Sequence, residues 1–473
     1  MYFLSFYKIF IMKRSFFLSF CFILSAVSTG LGQEQKEDAF VIRQIYDEAL
    51  TRGQCYDWLS HLTRIGGRLA GSPESMAAVE YTRQVLDTLG MDSVWLQPCV
   101  VPHWDRGDKE EVRIVASPFG SLELDALALG NSVGTPEEGL LAEVVEVKSL
   151  DEVEKLGMEK IKGKIVFYNR PMDPRQIRTF NAYGGAVDQR VFGASKAAKF
   201  GAVAVLVRSM TTRLDDFPHT GTLVYEEGTG KIPGLAISTN AAERLSSIIS
   251  KGKVQIYIKT NCGMLGNKDS YNVIGEIKGS THPDEIILVG GHLDSWDVGQ
   301  GAHDDGAGCV HAMDVIQILR RMNYKPKRTI RCVLFMNEEN GQGGAIAYME
   351  ASNKNKEYHM AAIESDAGGF TPRGFTADGD AAIFVDKFQQ VTNWLPLLEP
   401  YGLYLQKGGS GADISRLKSQ KGLLFGFRPD SQRYFDYHHT AADRIEAVNQ
   451  RELELGAAAI TSLVYLLDKH GLK

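Results

Sequence analysis

Residues 285–339 constrain this chain more than any other stretch. An apolar run at 286–289 ends on Gly290, Gly291, His292, Leu293 and Asp294. Residues 301–308, carrying His303, Asp304 and Asp305, then open a helical pattern that runs to about 322. A second apolar run at 332–336 ends on Asn337, Glu338 and Glu339. Strand, helix and strand, each strand ending in carboxylates or imidazole, predicts an α/β fold. In such a fold, ligands collect outside the carboxyl ends of parallel strands.

The rest of the chain extends this pattern on both sides. At 473 residues it is too long for one ordinary core, which predicts about two domains. Helical spacing is expected at 38–50 and 76–89, around a glycine-rich loop at 62–73, and a strand at 94–101. From about 112 to 261 strands alternate with turns (143–147, 164–168, 202–207, 234–238, 254–259), with one clear helix at 193–200. Nothing there gathers metal ligands, and His219 reads as a lone exposed histidine. The α/β pattern resumes at 271, with strands at 273–277, 286–290, 330–336, 361–364 and 423–427 and helices at 381–398 and 452–469. The glycine-rich loop at 408–413 lacks the Gly-Lys-Ser/Thr of a phosphate loop.

The first 32 residues read as a secretory signal peptide. Lys13 and Arg14 precede an apolar run at 16–27, small residues follow at Ser28, Gly30 and Gly32, and Met12 is an alternative start. The apolar run falls short of the ~20 residues a spanning helix needs, so no membrane attachment is expected after cleavage. The expected location is secreted or periplasmic. Removing this segment takes away three cations and no acid, shifting the formal charge from −6 to −9. With no basic run or basic-aromatic patch, nucleic acid is not an expected partner. The remaining cysteines, at 55, 99, 262, 309 and 332, show neither disulfide-framework nor zinc-finger spacing.

The strand ends carry the chemistry. His292 and Asp294 follow one strand, Glu338 and Glu339 the next, Asp366 the one after, and His439 the last, with Asp304 and Asp305 in the loop before a helix. Each motif alone has a plainer reading: a surface hydrogen-bonded pair, helix-capping acids, a charged turn. Together they deliver acid or imidazole from successive strands, and carboxylates gathered that closely repel one another unless a cation neutralises them. Two imidazoles with several carboxylates and no thiolate suit zinc. Five ligands are too many for one catalytic zinc and suit two metals ~3.5–4 Å apart that share a bridging carboxylate.

These motifs resemble, in order and spacing, peptidase family M28, the di-zinc peptidases. The elements are His292-x-Asp294, Gly301-Ala302-x-Asp304-Asp305-x-x-Gly308, Asn337-Glu338-Glu339, Glu364-Ser365-Asp366 and His439-Thr440-x-x-Asp443. The loop at 64–72, Gly411-Ala412-Asp413 and Tyr437-His438-His439 look closer to the carboxypeptidase Q-like subgroup, and residues 193–207 resemble a protease-associated domain. The resemblance implies a zinc-peptidase domain at 33–111 and 262–473, with a central mixed, largely parallel sheet flanked by helices. A smaller mixed α/β protease-associated domain is inserted at 112–261. It implies two zinc ions per chain, with Asp304 bridging, His292 and Asp366 completing one site, and Glu339 and His439 the other. It further implies that Glu338 is the general base and that Asp294 hydrogen-bonds the other ring nitrogen of His292, fixing its tautomer. His438 rivals His439 as ligand, but Thr440 and Asp443 favour His439. His303 is expected in a supporting or exposed position.

The subgroup implies dipeptides or short peptides with free termini as substrates, and a homodimer. A free ammonium needs an acid, for which Asp413 is a candidate, although Asp413 serves equally well to cap a helix starting near 414. A free carboxylate needs an arginine such as Arg428 or Arg433. Two other readings of the same fold stay open. One is a glutaminyl cyclase-like acyltransferase with one zinc, and the other a non-catalytic receptor-like homologue with none.

Overall fold

Chain order builds two eight-stranded sheets in this computed structural model, which describes residues 33 and 35–473. The expected signal peptide at 1–32 lies outside the described residues. A helix at 35–52, then helices Cys55–Thr63 and Pro73–Thr88, lead into β1 (Ser93–Asp105). The third helix begins cleanly because Ser72 Oγ accepts from Ser75 N at 3.0 Å and Pro73 occupies a first-turn position that needs no N–H. The chain then builds the second sheet from β2 (Glu111–Ala116), β3 (Leu122–Glu123), β4 (Ala126–Ala128) and β5 (Leu140–Val147). β6 (Ile165–Tyr168), β7 (Ala204–Arg208), β8 (Gly234–Ile237) and β9 (Gln255–Lys259) complete it. It returns through β10 (Gly263–Ile277), β11 (His282–His292), β12 (Arg328–Phe335) and β13 (Tyr358–Glu364). β14 (Pro372–Gly379), β15 (Tyr404–Lys407) and β16 (Leu423–Pro429) follow.

The first sheet runs β1-β10-β12-β11-β13-β16-β14-β15. Its centre, β12-β11-β13-β16, is parallel, and antiparallel pairings flank it. The chain steps from β11 to β12 on one side and then crosses to β13 on the other. That reversal opens a crevice at the carboxyl ends of the strands. Both faces are covered, as the near-continuous apolar runs require. Ile287, Val289, Ile330, Cys332, Leu334, Ala361 and Ile363 pack into one core with helices Ala307–Arg321 and Gln450–His470. The alternate residues Leu288, Val333, Phe335 and Ala362 pack on the other face with helix Gly343–Asn355.

The second sheet runs β3-β2-β9-β5-β6-β7-β8-β4, with β5 to β8 parallel. One of its faces, including Val166, Tyr168, Val205 and Val207, shares a core with Phe370, Tyr434 and Phe435. It therefore packs on the loops that surround the crevice. The helix expected at 381–398 is two pieces, Phe384–Thr392 and Leu395–Leu398, because Pro396 lacks the N–H that continuation needs.

The two ends of the described chain meet at Asp38. Its carboxylate accepts from Tyr465 Oη at 2.8 Å, and lies 2.8 Å from Lys469 Nζ and 3.0 Å from His470 Nε2. Burial works to raise Asp38, but these partners outweigh it and hold the carboxyl down to about 2. A carboxyl held below its unfolded value stabilises the fold fully above about pH 4, and that contribution is lost as the pH falls towards 2. The size is about 2 kcal/mol. Asp38→Asn is therefore expected to lower stability by about that amount at pH 7 in urea melts, with the gap closing below pH 4. A gap independent of pH would refute the ion-pair account.

Candidate metal centre and cleft

The site forms where β11, β12 and β13 end. His292, the last residue of β11, has Nδ1 3.0 Å from the backbone carbonyl of Asp294. A carbonyl can only accept, so Nδ1 carries a proton, and the ring turns Nε2 towards the carboxylates, where a metal would take the place of a second proton. That nitrogen faces Asp304 Oδ1 at 3.2 Å and Asp366 Oδ1 at 3.5 Å. His439 repeats the arrangement. Its Nδ1 lies 3.3 Å from the carbonyl of Thr220, and its Nε2 is 3.1 Å from Glu339 Oε2 and 3.3 Å from Asp304 Oδ2. Asp304 thus stands between the two imidazoles, one carboxylate oxygen towards each.

Neighbouring residues hold Asp304 there. Asp443 accepts the backbone N–H of His303 at 2.8 Å and of Asp304 at 3.1 Å. Asp305 points away, accepting from His292 N at 2.9 Å and from Gly308 N at 3.0 Å. A side chain at Gly308 would collide with the Asp305 carboxylate and the Ser365 carbonyl, which explains the glycine at that spacing. Arg68, from the glycine-rich loop, is fully buried and donates to the carbonyls of Leu293 (3.0 Å), Gln300 (2.6 Å) and Gly301 (3.0 Å). It braces the loop between the first imidazole and Asp304.

Asp294 differs from its expected role. Its carboxylate stands 3.8 Å from His292 Nδ1, which bonds the Asp294 carbonyl instead. The carboxylate accepts the successive backbone N–H groups of Asn337 (2.6 Å), Glu338 (3.0 Å) and Glu339 (3.3 Å). Asp294 thus fixes the turn that presents Glu338 and Glu339.

The donor set fits divalent metal. Asp304 Oδ2 and Glu339 Oε1 are buried and accept no hydrogen bond. Burial raises the Glu339 carboxyl, the nearby Asp304 charge adds to this, and His439 only partly offsets it, leaving it at about 7. Burial works to lower His439, but Glu339 and Asp304 lift it to about 10. The cluster therefore attracts positive charge between imidazoles and carboxylates, and protons and metal ions compete for those positions. Nitrogen and oxygen donors without thiolate suit zinc.

A cleft of about 220 Å³ opens over this cluster. Asp304, Glu338, Glu339, Asp366, His438 and His439 line its floor; Phe180, Tyr183, Arg190, Thr222, Tyr434 and Phe435 form its walls. Its volume is below the ~300–1,000 Å³ of pockets for drug-sized ligands, so it suits a small substrate. Burial raises Glu338 well above the usual carboxylate range; His292 works against this, while Asp366 and Glu339 add to it.

Asp413, Arg428, Arg433 and His219 meet a geometry other than the expected one. Asp413 is buried, does not line the cleft, and lies close enough to Glu364 and Glu338 for their charges, after burial, to push its carboxyl up. It caps nothing either, since Ile414 N donates to Glu364 Oε2 at 2.8 Å. Arg428 is occupied by Thr376 Oγ1 (2.9 Å) and the Gly409 carbonyl (2.7 Å), and Arg433 pairs with Glu452 at 3.4 Å. His219 is 1% exposed; burial first, then repulsion from His439, pushes it down to about 3, so it stays neutral. His303 is buried and stacked on Phe370 at 4.1 Å. His438 stacks on His439 at 3.5 Å with Nε2 3.8 Å from Asp304 Oδ2, farther than His439.

Sequence reasoning missed the contribution of the second sheet. Thr220 fixes the His439 ring, and Thr222 Oγ1 donates to the Glu339 carbonyl at 2.5 Å. Arg106, in the connection from β1 to β2, grips Asp297 through Nε (2.6 Å) and Nη2 (2.7 Å). No local pattern marks these residues, because their roles exist only once the two sheets pack.

Comparison with known proteins agrees with this geometry. Residues 272–464 match the model of peptidase family M28. The chain is 34% identical to carboxypeptidase Q of Bos taurus over 428 residues, covering 89% of this chain and 86% of that one. It is 38% identical to carboxypeptidase Q of Xenopus laevis over 407 residues, covering 85% and 83% respectively. A solved peptidase M28 precursor from Shewanella amazonensis superposes with a TM-score of 0.87 at 33% identity, covering 93% of this chain and 99% of that one. A zinc aminopeptidase from Bacillus subtilis shares the fold, with a TM-score of 0.64 at 20% identity and coverage of 89% and 96%.

Proposed function

The chain belongs to peptidase family M28, and from that premise we propose that it is a two-zinc exopeptidase acting on dipeptides or short peptides. One observation carries the reading: Asp304 lies between the Nε2 atoms of His292 and His439, each imidazole facing a further carboxylate, Asp366 or Glu339. His292, Asp304 and Asp366 would hold one metal, and Asp304, Glu339 and His439 the other. When bound, zinc supplies Lewis acidity that polarises a carbonyl and acidifies a water.

The chain's own residues do the rest. Glu338 takes the proton of the attacking water and returns it to the departing amine nitrogen. Asp294 holds Glu338 in place through its backbone N–H. The carbonyls of Asp294 and Thr220 fix the imidazole tautomers, so both Nε2 atoms face the cluster. The aromatic walls limit water around the reacting bond.

In this reading residues 33–111 and 262–473 form the catalytic domain and 112–261 the insert. The leader at 1–32 directs the protein out of the cytoplasm. Free dipeptides, N-blocked dipeptides, C-amidated dipeptides and aminoacyl-anilides, offered to zinc-replete protein, test the activity. Hydrolysis of free dipeptides with about two zincs per chain is expected. Hydrolysis of none of these substrates would refute the peptide reading, and one zinc per chain would refute the paired site.

A further inference from the structure

We propose that Trp296 is a positioning residue for the metal position made by Glu339 and His439, and that through it the packing of the second sheet sets how tightly that position holds its ion. This rests on the two-zinc reading and makes its two halves unequal. His292 takes its tautomer from the carbonyl of Asp294, two residues on in the same loop, whereas His439 takes its own from Thr220, across the boundary between the sheets. Thr220 N also donates to the His439 carbonyl at 3.0 Å, and Thr222 Oγ1 donates to that of Glu339. These threonines are tied in turn to the segment after β4. Thr220 Oγ1 donates to the Ala128 carbonyl at 2.8 Å, Gly130 N to the Gly221 carbonyl at 3.0 Å, and Leu223 N to the Gly130 carbonyl at 3.0 Å.

Trp296 fills the angle between that segment and the imidazole. It is 2% exposed, its ring centre lies 5.6 Å from that of His439, and it meets Trp104 edge to face at 6.5 Å. A Cβ at Gly130 would fall 1.8 Å from Trp296 Cη2 and 2.3 Å from Cζ3, so the six-membered ring occupies the place of that missing side chain. A buried indole ordinarily finds a partner for its N–H. No protein group accepts this one, so shape rather than hydrogen bonding holds the ring. The next residue, Asp297, is gripped by Arg106, whose Nη1 donates to the same Ala128 carbonyl at 2.7 Å. The wedge is thus anchored on both sheets. Loosening their packing frees the His439 ring and the Glu339 turn, while His292 keeps its local bond to Asp294.

The test is zinc retention, measured by elemental analysis of the full chain after dialysis against graded chelator, with folding checked by circular dichroism. It compares wild type, Trp296→Phe, which withdraws the ring from the Gly130 notch, and Gly130→Ala, which pushes against it. Wild type is expected to hold two zincs, and each variant to hold one of them about 10–100-fold more weakly with the other unchanged. Two backgrounds identify which one. Trp296→Phe is expected to weaken the zinc that remains in Asp366→Ala and to leave the zinc that remains in His439→Ala as it was. If Gly130→Ala fails to fold, Trp296→Phe in these backgrounds decides alone. Two zincs held as in wild type, or both weakened equally, in a folded variant overturn the proposal and leave the paired site intact. A single zinc in wild type overturns both.

Discussion

Glu338→Gln is expected to lower kcat about 10²–10⁴-fold while zinc content stays at the wild-type level. The amide keeps the shape and the backbone hydrogen bond to Asp294 but cannot accept a proton from water. Glu338 lines the cleft, yet none of the close imidazole–carboxylate contacts at the metal centre involves it. Loss of turnover with metal retained therefore isolates proton transfer from metal binding, and KM should change little. Unchanged turnover would dismiss Glu338 as the base. Loss of zinc in step with activity would make it a ligand instead.

Asp304→Ala has the larger predicted effect. It removes the one carboxylate that both imidazoles face, so each Nε2 keeps a single acidic neighbour. Zinc content should fall from about two per chain to one or fewer, with turnover below that of Glu338→Gln. Retention of two tightly held zincs in Asp304→Ala, measured by elemental analysis after dialysis, would exclude a bridging role. Asp443→Asn offers a graded comparison. The Asp443 carboxylate accepts the backbone N–H groups of His303 and Asp304, so its loss should cost about 10–100-fold in metal affinity without removing a ligand.

What was legible in the sequence was whatever the parallel sheet itself arranges. Strands β11, β12 and β13 end at one edge, so His292, Glu338, Glu339 and Asp366 meet simply because each follows its strand. Asp304 was readable for the same reason, its loop leading from β11 into the next helix. Backbone partnerships were not legible. Which oxygen of Asp294 meets His292 depends on how a turn folds, and spacing cannot separate carbonyl from carboxylate. Arg190, Thr220 and Thr222 were invisible because they reach the site only through packing between sheets. His219 was misjudged for that reason, since a lone histidine looks exposed until a neighbouring layer covers it. The single helix expected at 381–398 breaks into two because Pro396 cannot supply the N–H that would carry the first piece into the second.

The contacts that brace His439 and Glu339 from the second sheet join residues far apart in the chain, 219 positions for Thr220 with His439 and 117 for Thr222 with Glu339. This gives the protein a timetable. While it is being synthesised from its N-terminus, no stretch that stops short of position 439 contains the centre, and closing such distant pairs is slow. The cluster therefore assembles only after residue 439 has been made and the two sheets have met.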